Sequence, residues 1–459
     1  MGESIIDPKQ RVDYSVVDSI LNKTYTDKDA NDATAGYITT LALISKGLRT
    51  RRLNNSELGI EPVLPLLDQL DDERVKLSLN IFDTIPSTSM IDEIFHNVNA
   101  AVAQRVHAAL GDKALLRRYP IPTLTKFEAY TQKVRNLGVD LDTTNSSTFQ
   151  NSLLKIKDPI ERKAVEAVLI KCMPRGKYII AGKTDPDSLG HYLFNLPSYT
   201  HFTAPLRRYA DIIVHRQFKA AITNPESYRD EIDSLKMNSD YCNFKKDCAK
   251  AAQEQAIHLL LCQTINEMSK ETGQILVMGT ILQVYESSFD VFLPEFGIEK
   301  RVHGDQLPLR KAEFDKTQRV LELYWEPGVD AATYVPPDER EPLSYRASIK
   351  NKYRSSAKEA AAKQADQLAN SVSDELIEKF AKLDLSLPTV ESLQKGADGS
   401  DGSLGPYMKE CITRIEGDNY VQEVRELKKV PILLKSEVGM TLPCLTVRTL
   451  NPFAELSKK

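Results

Sequence analysis

The chain has 459 residues, of which 41% are hydrophobic and 27% charged. Lys and Arg number 60 against 64 Asp and Glu, a net charge of −4. These proportions fit a folded protein of about three domains. They exclude a collagen-like or wholly disordered chain, and they require any nucleic-acid surface to be a local basic patch.

The first residues, Met1-Gly2-Glu3-Ser4-Ile5-Ile6, lack the basic and apolar regions of a secretory signal. Gly2 suggests myristoylation, but Ile6 stands where that motif has Ser or Thr. Up to about residue 240 the periodicity is mostly helical. Apolar residues recur at Leu67, Leu70, Val75, Leu77 and Leu79, then at Ile91, Ile94, Phe95, Val98, Val102, Val106 and Leu110. Pro120 and Pro122 interrupt the pattern, Pro159 starts a helix over 159–171, and a long helix is expected over 248–268. After Gly273 the period changes to short strand-like runs, Ile275 to Val284, Phe289 to Leu293 and Ile298 to Val302, which predict a modest antiparallel barrel. The barrel is interrupted over about 335–425. That stretch holds an Ala/Lys-rich helix from about Ala357 to Phe380 and a flexible linker over 396–403, before strand character returns at Val430–Leu434 and Cys444–Val447. No apolar run approaches the ~18 residues of a membrane span. The six cysteines, Cys172, Cys242, Cys248, Cys262, Cys411 and Cys444, form no C-x-x-C pair, so zinc is not expected; without a secretory signal, reduced thiols in the cytoplasm or nucleus are.

The most informative segment runs from Tyr199 to Arg216 and reads YTHFTAPLRRYADIIVHR. Pro205 is a candidate for the first turn of a helix, which would set Arg207 and Arg208 near the positive end of its dipole. Two guanidiniums beside free N–H groups make an anion site suited to phosphate. The alternative is that the arginines pair with Asp211 or other acids. Two stretches are locally basic, either a nucleic-acid path or a solvated basic helix or loop: residues 105–126 carry five basic residues and one acid, and residues 344–363 carry six and one, interleaved with Tyr345 and Tyr353. In the barrel, Tyr285, Phe289, Phe292, Phe296, Tyr324 and Trp325 either fill the core or present a base-stacking face. Two acidic patterns are set aside. Asp68, Asp71 and Asp72 read as a solvated helix face, and Asp27, Asp29 and Asn31 lack the Gly and Glu of a calcium loop.

The 199–216 segment resembles the H-F-T-S/A-P-I/L-R-R-Y-x-D-x-x-x-H-R signature of the RNase II/RNase R superfamily, the RNB domain. Arg11-Val12-Asp13-Tyr14 is similar to that family's K-L-x-Y segment, and Leu115 to Pro122 to its L-L-R-R-x-P-x-P turn. Glu93 and Asn99 match polar positions of its buried helix. Within the family, residues 283–303 and 442–453 resemble fungal RNB-like translational repressors, which bind mRNA for cell-wall proteins and are thought to lack the chemistry.

The resemblance implies an α+β chain. Residues 1–240 would be the C-terminal portion of an RNB domain, 241–272 a connecting helix, and 273–455 an S1/OB-type barrel interrupted by the 335–425 insertion. Active relatives degrade RNA from the 3′ end with Mg²⁺ held by a D-x5-D-x-D-D cluster, because a hard cation needs closely spaced carboxylates. That cluster lies upstream of the Tyr14 segment, so the chain resembles a domain entered part-way, which would leave apolar faces uncovered. No cofactor is expected here. Arg207 falls on the family's phosphate-contacting catalytic arginine and Tyr14 on the tyrosine that packs against the terminal nucleotides. The RNA-contacting set carried over is Tyr14, Arg117, Arg118, His201, Thr203, Arg207, Arg208, Tyr209, His215 and Arg216, with buried structural roles as the alternative for the two histidines. The expected partner is single-stranded RNA, bound without hydrolysis in post-transcriptional control, with protein partners at the insertion. A 3′→5′ exoribonuclease whose Asp cluster comes from elsewhere in the native polypeptide is the alternative.

Overall fold

A computed structural model describes residues 11–25, 32–55, 86–136, 138–272, 275–336, 405–437 and 443–454. The chain divides into two compact units, Met1–Ala251 and Ala252–Lys459. The candidate helices at 67–79 and 357–380, the 396–403 linker, the basic 344–363 stretch and the two set-aside acidic patterns lie outside the described residues. Among the described residues, no helix is long and apolar enough to cross a membrane.

In the first unit, helices α1 (Tyr14–Leu21), α2 (Asp32–Leu53) and α3 (Pro86–Leu110) pack around Val17, Ile20, Ile38, Ala42 and Met90. The other side of α3 presents Asn99, Val102, Ala103 and Val106, one face at i, i+3, i+4 and i+7. The small Ala103 and the fully buried Val106 join a core that includes Leu115, Leu116, Ile180, Ile213 and Val214. Helices α4 (Leu124–Asn136), α5 (Ser146–Leu154) and α6 (Pro159–Ile170) complete the first half. Pro159 stands in the first turn of α6, and the Asp158 side chain caps it by accepting from the Ile160 N–H.

Sequence periodicity missed a two-stranded antiparallel ribbon, β1 (Leu115–Arg118) with β2 (Lys177–Ile180). Four-residue strands are too short to show alternation against helical neighbours. Helix α7 (Tyr209–Thr223) turns Ala210, Ile213, Val214 and Gln217 inward beside this ribbon. Gln217, fully buried, accepts from the Leu115 N–H and donates to the Lys113 carbonyl, tying helix to ribbon. The long helix α8 runs from Ile232 to Thr272, starting 16 residues before the expected 248. Its first turns were hidden from periodicity because polar groups dock them. Asn243 both accepts from and donates to the backbone of Tyr178, and Lys246 donates to the Gly176 carbonyl. Two apolar stripes are exposed, Tyr37, Leu41 and Ile44 on α2 and Met237, Tyr241 and Phe244 on α8.

The second unit holds the expected antiparallel strands in two sheets. The five-stranded sheet has the order β11 (Cys444–Thr449), β10 (Lys429–Glu437), β3 (Ile275–Val284), β4 (Ser288–Leu293) and β5 (Ile298–His303). Its outer strands β11 and β5 lie against each other, so the sheet curls into a barrel. A bulge between Ile281 and Gln283 helps bend β3. Strand β4 is buried along its whole length, as its mostly apolar sequence SFDVFL requires. The second sheet has the order β6 (Leu309–Asp315), β7 (Val320–Trp325), β9 (Asn419–Val424) and β8 (Ile412–Glu416). Strand structure therefore resumes at Ile412, inside the stretch expected to be insertion up to about 425. The β8–β9 hairpin was overlooked because Thr, Arg, Glu, Gln and Asn interrupt its few apolar residues.

Candidate nucleic-acid interface

The 199–208 segment runs between α3 and the ribbon and is held by buried polar contacts. The Arg117 N–H donates to the Tyr199 carbonyl at 2.8 Å, and the Thr200 hydroxyl donates to the Leu115 carbonyl at 2.8 Å. Asn99 clamps both sides of His201. Its Nδ2 donates to the Tyr199 hydroxyl and its Oδ1 accepts from the Phe202 N–H, each at 3.0 Å. One side chain on α3 thus satisfies an amide three residues beyond the hydroxyl it holds, where an unmade buried bond would be costly.

Both motif histidines are hydrogen-bonded within the fold. His201 is buried and shares a 2.7 Å hydrogen bond through Nδ1 with the Tyr178 hydroxyl. His215 Nε2 lies 2.8 Å from the Phe202 carbonyl, which can only accept, so Nε2 carries the proton. The His215 ring stacks on Phe202 at 4.0 Å.

Pro205 is not in the first turn of α7, as the sequence suggested. Ala204 to Arg207 form a separate turn, in which the N–H groups of Arg207 and Arg208 both donate to the Ala204 carbonyl, and the helix begins at Tyr209. Asp211 causes this. From the first turn of α7 its Oδ2 accepts from the Ala204 N–H at 2.7 Å and from Arg208 Nη2 at 2.9 Å. Its position near the positive end of the helix dipole favours the carboxylate. Arg208 is therefore an internal partner of Asp211 and not a surface cation.

Arg207 and Arg216 are exposed, Leu206 is fully exposed, Tyr209 is half exposed and Thr203 is half-buried. Tyr209 and Arg216 stand seven positions apart on one face of α7, about 10 Å along its axis. Tyr14, also half exposed, opens α1 in a different cluster. The carried-over Arg117 is corrected. It is 1% exposed, with its guanidinium 4.8 Å over the Tyr178 ring, because its place in β1 points it into the core. Arg118, next along the strand, faces a groove of about 450 Å³ together with Pro120, Pro174, Arg175, Lys177 and Ile179.

Sequence reasoning matched Glu93 but missed its partner. Arg52 binds it through two hydrogen bonds of 2.9 and 2.7 Å, both side chains being nearly buried. Burial pushes the Glu93 carboxyl up, but Arg52, with His96 and Arg49, outweighs it and holds the carboxyl below its ordinary value. No local pattern marks Arg52 as that partner, since it lies 41 positions away.

Magnesium requires a cluster of carboxylates. Among the described residues, no group of three or more His, Cys, Asp or Glu is placed to hold a metal ion. The buried acids near the motif, Asp211 and Glu93, are each committed to an arginine. These residues do not fit a magnesium site.

The barrel aromatics are mostly core. Phe289, Phe292, Phe296 and Trp325 are at most 2% exposed, and Trp325 Nε1 donates to the buried Gln422 Oε1 at 2.9 Å. The Tyr324 hydroxyl lies 3.0 Å from both Glu313 and Glu322, sharing its one proton between them, and its ring is buried beneath the Lys311 ammonium, so it offers no open stacking face. The half-buried Tyr285 ring lies 4.3 Å from the Arg301 guanidinium, which Asp290 anchors.

Comparison with known proteins agrees with this architecture. Residues 1–224 match the model of the RNB domain, and residues 273–360 match that of the DIS3-like exonuclease 2 C terminal. The virulence protein SSD1 of Candida albicans is 56% identical over 99% of this chain and 38% of its own length. The structure of yeast Ssd1, described as a pseudonuclease, matches with a TM-score of 0.81 and 51% identity over 96% of this chain and 53% of that one. RNase R of Mycoplasma genitalium in complex with ribose-methylated single-stranded RNA shares the fold, with a TM-score of 0.50 and 20% identity over 67% of this chain and 47% of that one. The chain spans less than two-fifths of the length of the curated SSD1 relatives it matches. With the RNB match over its first half and SSD1-type similarity along nearly its whole length, the chain belongs to the RNB superfamily.

Proposed function

We propose that this chain binds single-stranded RNA, including mRNA, through the exposed face of the 203–216 segment, does not hydrolyse it, and serves post-transcriptional control in the cytoplasm. One observation carries the reading: the signature motif divides by burial. Asn99, His201, Arg208, Asp211 and His215 are spent on holding the loop, while Arg207, Leu206, Tyr209 and Arg216 project from it. A rigid turn carrying an exposed guanidinium and a half-exposed tyrosine offers a phosphate contact and a stacking surface. The similarity to a pseudonuclease and the commitment of Asp211 and Glu93 to arginines support binding without cleavage.

The test is fluorescence anisotropy with a labelled single-stranded oligonucleotide at low and moderate salt. Binding is expected to weaken as salt rises, and to weaken further in Arg207→Ala and Arg216→Ala. Binding indifferent to salt and to both substitutions would refute the RNA-binding reading. Mg²⁺-dependent shortening of the oligonucleotide would refute the non-catalytic one.

A further inference from the structure

The β1–β2 ribbon ends in an arrangement that the binding turn does not use. Arg118 and Lys177 are directly opposite in the antiparallel register, the last pair of the ribbon. Side chains of such a pair lie on one face with Cβ atoms about 5 Å apart, and like charges there repel. Among the described residues, neither has an acidic partner. Arg118 Nε is buried and makes no hydrogen bond, a costly position for a donor. Both cations line the groove of about 450 Å³, and a third, Arg175, stands two residues before Lys177. Arg175 makes only a loose, exposed contact of 3.6 Å with Asp247. Pro120, Pro174 and Ile179 supply apolar walls.

We infer that this groove is a phosphate site for single-stranded RNA, in which Arg118 and Lys177 converge on one phosphodiester of the strand. This rests on the RNA-binding reading above and extends it to a second contact built from different elements. A phosphodiester supplies what the groove lacks. Its oxygens accept from the Arg118 guanidinium and from the Lys177 ammonium together, which turns cross-strand repulsion into a shared interaction. The apolar walls suit the sugar or base edge beside that phosphate.

The test uses the whole chain, a labelled single-stranded oligouridylate and the variants R118Q/K177Q and R207A. The double variant is expected to bind at least tenfold more weakly, with the slope of log affinity against log salt reduced by about 0.7 to 1.4. Its thermal midpoint should be unchanged or raised, since a repulsion has been removed. Wild-type affinity and salt slope in R118Q/K177Q, with R207A weakened, would overturn the groove inference and leave the RNA reading standing. Absence of RNA binding by the wild-type chain would overturn both. Millimolar inorganic phosphate that raises the wild-type midpoint, but not that of the variant, while oligouridylate affinity is unaltered, would identify a small-phosphate site and also overturn the inference. If the double variant loses its cooperative transition, K177Q alone, at an exposed position, carries the same test with an expected loss of about threefold.

Discussion

Arg208 and Asp211, three positions apart at the start of α7, form an ion pair whose carboxylate is fully buried and whose guanidinium is 10% exposed. The same carboxylate holds the Ala204 N–H, so one side chain sets the course of the turn that presents Arg207. The buried pair holds the turn in place, and the exposed arginine beside it is the contact proposed for RNA.

Removing one partner of a buried ion pair strands the other. Asp211→Ala is therefore expected to lose about 3–5 kcal/mol of stability. Chemical denaturation of the first unit checks this. Arg207→Ala, at an exposed position one residue from Arg208, should cost less than about 0.5 kcal/mol while weakening RNA binding. Equal stability losses in the two variants would contradict the division of labour.

Asn99→Leu removes the acceptor for the Phe202 N–H and the donor to the Tyr199 hydroxyl. A loss of about 1–3 kcal/mol is expected for a buried donor deprived of its partner. The Phe202 amide should then exchange with solvent faster than in the wild type, which hydrogen–deuterium exchange reads directly.

The Glu93 carboxyl is held below its ordinary value of 4.5 in the folded chain. A depressed carboxyl stabilises the fold above its unfolded value, and that contribution is lost as pH falls through the lower folded value. Stability measured against pH should therefore decline below about 4.5. Glu93→Gln should be less stable at neutral pH and show a shallower decline on the acid side. An unchanged acid limb would show that the Arg52–Glu93 pair contributes nothing.

Gly279 in β3 has no room for a side chain. A Cβ there would lie 2.7 Å from Val291 Cγ2 and 3.2 Å from both Ile432 Cγ1 and Leu293 Cδ2, all in the barrel core. Gly279→Val should cost at least about 1–3 kcal/mol through overpacking. Gly417→Ala, in open space but at a φ of +60°, should act by a different route, through backbone strain in the β8–β9 turn. Thermal melts of both variants compare the two routes.

Much of this molecule was legible in the chain alone. The HFTAPLRRY segment pointed to the superfamily, because so many polar residues in one fixed order do not follow from helix or strand periodicity. The α6 start at Pro159 and the strand runs after Gly273 followed from a proline at a helix start and from a change of period, both local signals. The roles inside the motif were not local. Arg207 and Arg208 are chemically identical neighbours, and only the position of Asp211 across the helix start buries one and exposes the other. Arg117 and Arg118 divide the same way, because successive residues of a strand point to opposite faces and one face of β1 meets Tyr178. The Arg52–Glu93 pair, the Asn99 clamp and the Arg118–Lys177 juxtaposition join residues 41 to 103 positions apart. Sequence determined which chemical groups this chain carries. Burial and long-range hydrogen bonding, which exist only once the chain is folded, decided which of them meet solvent.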